Sequence, residues 1–217
     1  MVTLQLRQIK LQPGQRVDIE DVDWPEFQAI LAELGDNRST RIAYQNRTLT
    51  VVDPLFRHEK FKVTLGDLVK VLLEELDIDY EAAGSTTLTR MDVYKGVEPD
   101  NSFYIQNYQQ VLNKDRIDLN TDPPPDLAIE VDLTSKTNAD LYEALGVPEL
   151  WRYDNDELRI DSLQKGKYIQ VTESPTFPEW RIAKLVPQHI ARARAVGQGK
   201  AIKELRQWVC QQIQREK

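Results

Sequence analysis

Between Leu55 and Leu76 the residues Phe61, Leu65, Leu68, Val69, Leu72, Leu73 and Leu76 recur at helical spacing, and this period predicts one long amphipathic helix. Such a stripe has to be covered by a sheet or by other helices. A chain of 217 residues has the means, because at that size about 70% of the unfolded surface can be buried. One domain with appendages is therefore expected.

The covering elements can be read around that helix. Phe27, Ile30, Leu31 and Leu34 mark a helix from Trp24 to Leu34 that ends at Gly35. Arg41 to Tyr44 and Thr48 to Val52 flank Gln45-Asn46-Arg47 as a hairpin. Short β-like pieces follow at Tyr80 to Ala83, Thr86 to Arg90 and Val97 to Ile105, then a helix over Gln106 to Leu112. After Pro123-Pro124-Pro125, Asp126 to Leu133 alternates as a strand, and a helix through Leu141 to Leu145 stops at Gly146. Glu149 to Tyr153, Leu158 to Leu163 and Tyr168 to Thr172 form a meander, and from about Pro187 the chain is helical and basic. The order predicts an α/β (α+β) fold in which helices flank a mixed central sheet, with an N-terminal hairpin and a C-terminal helix. The expected division is a domain over 1–185 and a basic helical tail over 186–217.

Composition excludes several function classes. One thiol, Cys210, rules out an internal disulfide and a cysteine-built zinc site, and suits a reducing compartment. No secretory signal is visible in Met1 to Pro13, and no window approaches the run of about 18 apolar residues that spans a bilayer. A cytoplasmic protein without membrane contact is expected. The formal charge is −7, unevenly spread: residues 181–217 hold nine Lys and Arg against two Glu, while residues 1–180 hold 19 basic and 33 acidic side chains. A basic end on an acidic body suits contact with a polyanion, although a solvated helix face is the plainer reading.

The strand over Asp126 to Leu133 carries the chemistry. Leu127, Ile129, Val131 and Leu133 share one face, and Asp126, Ala128, Glu130 and Asp132 the other. Glu130 and Asp132 have Cα atoms about 6.6 Å apart at a rise of ~3.3 Å per residue, so both reach one cation, whereas Asp126 lies about 13 Å from Glu130. A third acid has to come from elsewhere, and Asp100, in Val97-Glu98-Pro99-Asp100, is the candidate. Hard oxygens from two strands, completed by waters, are what Mg²⁺ prefers, and Mn²⁺ can substitute. The competing reading is an antiparallel strand with one solvated face, which alternates in the same way. Helical segments on both sides of the strand argue instead for a covered position, where unpaired carboxylates need a compensating cation. Lys136 could supply positive charge beyond the strand end, although an exposed loop Lys is the commoner case, and Thr134 and Ser135 suit helix capping.

Three stretches together, Gly96-Val97-Glu98-Pro99-Asp100, Pro124 to Thr137 and Tyr142 to Tyr153, with Gly84-Ser85-Thr86-Thr87 before them, resemble the Uma-two family of restriction endonucleases within the PD-(D/E)xK superfamily. The resemblance runs from about Val22 to Asp161. It implies a restriction endonuclease-like core and Mg²⁺-dependent hydrolysis of DNA phosphodiesters. By resemblance Asp100 is the Asp of the PD element and Glu130 the acid of the (D/E)xK element. Asp132 stands where that element has Lys, and the nearest basic side chain is Lys136. His58 falls on the apolar stripe of the long helix with Glu59 toward its flank. The family commonly has a His near this point, which makes the two site-adjacent candidates, though a satisfied, partly buried His is the simpler account.

Two functions follow. The first is a Mg²⁺-dependent endonuclease in which Asp100, Glu130 and the Val131 carbonyl hold metal while Asp132 and Lys136 assist catalysis. It would act on DNA as a homodimer, with no nucleotide cofactor. The second is a nuclease-like fold that no longer cuts and serves as a DNA-binding or protein-interaction module.

Overall fold

The computed structural model describes residues 9–35, 40–133 and 136–215. The expected caps Thr134 and Ser135 lie outside them. In chain order the elements are β1 (Arg16–Ile19), α1 (Trp24–Leu34), β2 (Arg41–Gln45), β3 (Thr48–Val52), α2 (Phe56–Glu75), β4 (Glu81–Ala82), β5 (Leu88–Arg90), β6 (Lys95–Val97) and β7 (Asn101–Tyr104). There follow β8 (Leu127–Val131), α3 (Ala139–Leu145), β9 (Glu149–Asp154), β10 (Glu157–Gln164), β11 (Lys167–Val171), α4 (Ile182–Val196) and α5 (Gln198–Arg215).

The strands form two sheets, in the orders β1-β3-β2-β6-β5 and β11-β10-β9-β8-β7-β4. Among the described residues only β8 and β9 pair in parallel, joined by the crossover helix α3 that a parallel pair requires. The second sheet is the centre of the molecule. On one face Leu127, Ile129 and Val131 pack with the α2 stripe and with Ile182, Val186, Ile190, Leu205 and Val209 of α4 and α5. On the other, Ala128 and Leu150 meet Leu141, Tyr142 and Leu145 of α3 and Leu88 and Val97 of the first sheet. Strand β8 thus has both faces covered, so its alternation is not that of a strand with a solvated side.

Several expectations are corrected. Val97 to Ile105 is not one strand: β6 belongs to the first sheet and β7 to the second, and the chain crosses between them at Glu98-Pro99-Asp100. Pro99 has no N–H for a ladder and suits that break. The helix over Gln106 to Leu112 shrinks to a 3-10 turn at Tyr108–Gln110. There Asp126 Oδ2 accepts from the backbone N–H groups of Ile105, Gln106 and Asn107 at 2.7, 3.0 and 3.3 Å, winding the chain around a carboxylate. The C-terminal helix is two helices, and α4 starts at Ile182 with Pro187 inside it. The boundary expected at 185/186 falls within α4, and buried residues on both sides of it share the main core.

The local rules elsewhere hold. Asp23 and Glu26 form a reciprocal capping box at the start of α1. Asn138 caps α3, and Gly146 ends it in the left-handed region at φ 80°. Asn46 and Arg47, and likewise Asn155 and Asp156, have positive φ in the two-residue hairpin turns. Among the described residues no helix is long and apolar enough to cross a membrane.

Candidate functional site

A cleft of about 480 Å³ opens beside the C-terminal end of β8 and is lined by His58, Asp100, Glu130, Asp132, Lys136 and Tyr142 among others. Four elements deliver these groups. His58 comes from the first turn of α2, Asp100 from the crossing between the sheets, Glu130 from β8 and Tyr142 from α3. Because β7 pairs with β8 through Asn101 and Ile129, Asp100 lies one residue before the ladder and alongside Glu130. The alternation of β8 turns Glu130 toward α3 while Ile129 and Val131 enter the helix-covered core.

Asp100 is held firmly. Its Oδ2 accepts from the Val131 N–H at 2.8 Å and stands 3.0 Å from His58 Nε2. His58 is therefore a cleft residue bonded to the candidate metal ligand, and not merely a satisfied core histidine. Burial alone would depress the His58 pKa, but the hydrogen bond and charge of Asp100, with the charge of Glu59, outweigh it and hold that pKa above the ordinary value. Glu59 stays outside the cleft lining, 3.6 Å from His58 Nδ1.

Glu130 Oε1 accepts from the Tyr142 hydroxyl. Desolvation, followed by the charge of Asp100, raises the Glu130 pKa well above the usual carboxylate range, and the Tyr142 hydrogen bond only partly counters this. Burial and the Glu130 charge in turn raise the Tyr142 pKa, so that hydroxyl stays protonated and donates. Two carboxyl groups facing each other without a cation share exactly this kind of penalty, and a proton or a metal ion relieves it.

Asp132 and Lys136 are engaged elsewhere in the cleft wall. Asp132 Oδ1 accepts from the Thr137 N–H at 2.9 Å and from its hydroxyl at 2.5 Å. Desolvation raises the Asp132 pKa against those two bonds and the charges of Arg152 and Lys136. Lys136 is largely exposed at the rim and is paired with Asp154. The Val131 carbonyl accepts from the Leu133 N–H at 3.1 Å, which leaves it a second lone pair. Glu98, next in the Glu98-Pro99-Asp100 crossing, is spent on structure: it takes the Ile42 N–H at 3.1 Å and the Thr87 hydroxyl at 2.7 Å.

Among the described residues no group of three or more His, Cys, Asp or Glu side chains is placed to hold a metal. The donor set is narrower: two carboxylates, Asp100 and Glu130, with the Val131 carbonyl nearby. That set suits Mg²⁺, which commonly takes one or two carboxylates and keeps several waters. The mutual repulsion of the pair is the feature of the chain that such an ion fits.

Sequence reasoning passed over Tyr142, Thr137 and Arg41, all of which line the cleft. Tyr142 sits between Leu141 and Leu145 on a helix whose apolar face reads as core, and only its place in the resembling stretch Tyr142 to Tyr153 hinted at more.

Comparison with known proteins gives the family and the fold. Residues 24–194 match a family model, Uma2, described as "Putative restriction endonuclease". No curated protein matches. Among solved structures the chain is similar to "a putative nuclease belonging to DUF820 from Anabaena variabilis", at 14% identity and a TM-score of 0.50 over 87% of this chain and 99% of that one, a likeness of fold. With the family model spanning most of its length, the chain belongs to the Uma2 family.

Proposed function

We propose that this protein is a Mg²⁺-dependent endonuclease that hydrolyses DNA phosphodiester bonds, with Mn²⁺ able to replace Mg²⁺. The observation that carries the reading is the convergence of Asp100, from the crossing between the sheets, and Glu130, from β8, on one cleft where their repulsion calls for a cation. The two carboxylates would hold the ion, with the Val131 carbonyl beside them. A bound divalent ion would supply Lewis acidity toward the phosphate and a more acidic water.

The remaining roles belong to the chain itself. His58 and the Val131 N–H fix the Asp100 carboxylate through Oδ2 and leave Oδ1 for a ligand. Tyr142 orients Glu130 by donating to Oε1. Asp132, held by Thr137, is the candidate base for the attacking water. Lys136 stands at the rim, where release from Asp154 would let it meet substrate phosphate. Use of a homodimer to reach both strands of a duplex is part of the same reading.

One feature favours a second reading, a DNA-binding or protein-interaction module that does not cut. Asp132 occupies the place of the expected Lys, and the cleft also carries Asp18, Glu20 and Glu98. Plasmid incubated with Mg²⁺ or Mn²⁺ separates the two. Nicking by the wild type that is lost in Asp100→Asn and Glu130→Gln supports the enzyme. Binding without nicking, or nicking that survives both substitutions, rejects it.

A further inference from the structure

Three buried side-chain atoms among the described residues have no hydrogen-bond partner: Arg41 Nε, His58 Nδ1 and Glu59 Oε1. They are neighbours: Arg41 and His58 line the cleft, and Glu59 lies behind them, outside its lining. Glu59 Oε1 stands 3.6 Å from His58 Nδ1 and 3.8 Å from Arg41 Nη2, each too long for a hydrogen bond. Leaving a buried polar atom unpaired is costly, and such groups in native proteins are few and commonly functional.

Arg41 is the informative member. Among the described residues the cleft is lined by three Lys or Arg side chains, Arg16, Arg41 and Lys136. Arg16 Nε is bound to both Asp18 oxygens at 2.9 and 3.1 Å, and Lys136 is paired with Asp154. Among the described residues Arg41 has only the distant Glu59. Its side chain is 21% exposed and rises from β2, which is fixed on both sides by β3 and β6. Arg41 also lines a second cleft of about 730 Å³, with Thr86, Thr87 and Arg116. The guanidinium therefore stands where the two clefts meet, with the Asp100 and Glu130 pair on one side of it.

We propose that Arg41 binds a non-bridging oxygen of the DNA phosphate in the cleft, supplying the positive charge that Asp132 cannot. The proposal rests on the nuclease reading above. A planar guanidinium fork matches two phosphate oxygens. With its side chain only 21% exposed, its charge is worth more there than on the open surface. No internal hydrogen bond has to break for it to bind, and Glu59 balances its charge until substrate arrives.

The test compares full-length wild type with Arg41→Met, which keeps an unbranched apolar stem, and Arg41→Lys. Plasmid nicking in Mn²⁺ gives the rate, and binding of a short duplex in Ca²⁺ at several salt concentrations gives the counterion slope. The expected result is a loss of at least about 100-fold in kcat/KM for Arg41→Met, partial recovery in Arg41→Lys, and a salt slope smaller by about one in Arg41→Met. A purely structural role would not move the slope. Wild-type nicking with an unchanged rate and slope in Arg41→Met overturns the Arg41 assignment and leaves the nuclease reading standing. A wild type that neither nicks nor binds DNA overturns the nuclease reading and this assignment with it.

Discussion

Glu130 concentrates the physics of the site in one side chain. Its carboxyl is desolvated and faces the charge of Asp100, and both push its pKa up. Glu130→Gln keeps the shape, still accepts from Tyr142 and can donate to Asp100. In EDTA at neutral pH this variant is expected to be more stable than wild type by about 1–3 kcal/mol. Urea denaturation measures it, and an equal or lower stability would show that the pair is not strained. Glu130 was legible in the sequence because strand alternation fixes which way its side chain points, and Asp100 because the stretch around it resembles a family motif. Tyr142 and Arg41 were not, since an aromatic on a helix stripe reads as core and an Arg at a strand end reads as surface. Lys136 was readable as a cation near the site, but its partner Asp154 lies 18 residues away in sequence, which no local pattern reveals.

Among the elements, α2 and β7 have to approach closely to bring His58 to Asp100. Gly66 permits this: a Cβ there would run into the Asn101 side-chain amide. Alanine is the better helix former by about 1 kcal/mol, so Gly66→Ala sets that gain against a clash. The clash is specific to Asn101. Gly66→Ala should therefore be more favourable in an Asn101→Ala background than in wild type, by about 1 kcal/mol of coupling in a double-mutant cycle of denaturation free energies. Simple additivity would contradict the close approach. Elements with strong periods, such as α2 and the β9 to β11 meander, were visible in the sequence. Those decided by distant partners were not: the 3-10 turn at Tyr108–Gln110 depends on Asp126, and α4 tolerates Pro187 in its second turn because Ile182, Val186 and Ile190 are anchored in the core.

Across the whole molecule, the basic C-terminal segment is bound into the fold. Arg206 pairs with Glu74 and Glu75 of α2, Arg194 with Asp156, and Arg192 with Glu204. Leu205 and Val209 are buried against the central layer. Deleting α5 from Gln198 onward should thus abolish the cooperative thermal transition, and a deletion that melts as sharply as wild type would contradict this packing. His189 on α4 gives the pH dependence. Burial depresses its pKa below the ordinary value, so the folded state resists a proton that the unfolded chain accepts at about pH 6.5. Its contribution is complete above that pH and is lost as pH falls toward the folded pKa. Between pH 7 and pH 5 wild type should lose stability relative to His189→Gln, and a constant difference would show that His189 does not titrate there. The account as a whole turns on Asp100 and Glu130 sharing one ion. Crystals soaked in Mn²⁺ test this directly by anomalous scattering. The account predicts a peak touching both carboxylates in wild type and absent in Glu130→Gln. A cleft without that peak, its carboxyl groups still bonded only to His58, Val131 and Tyr142, would contradict it.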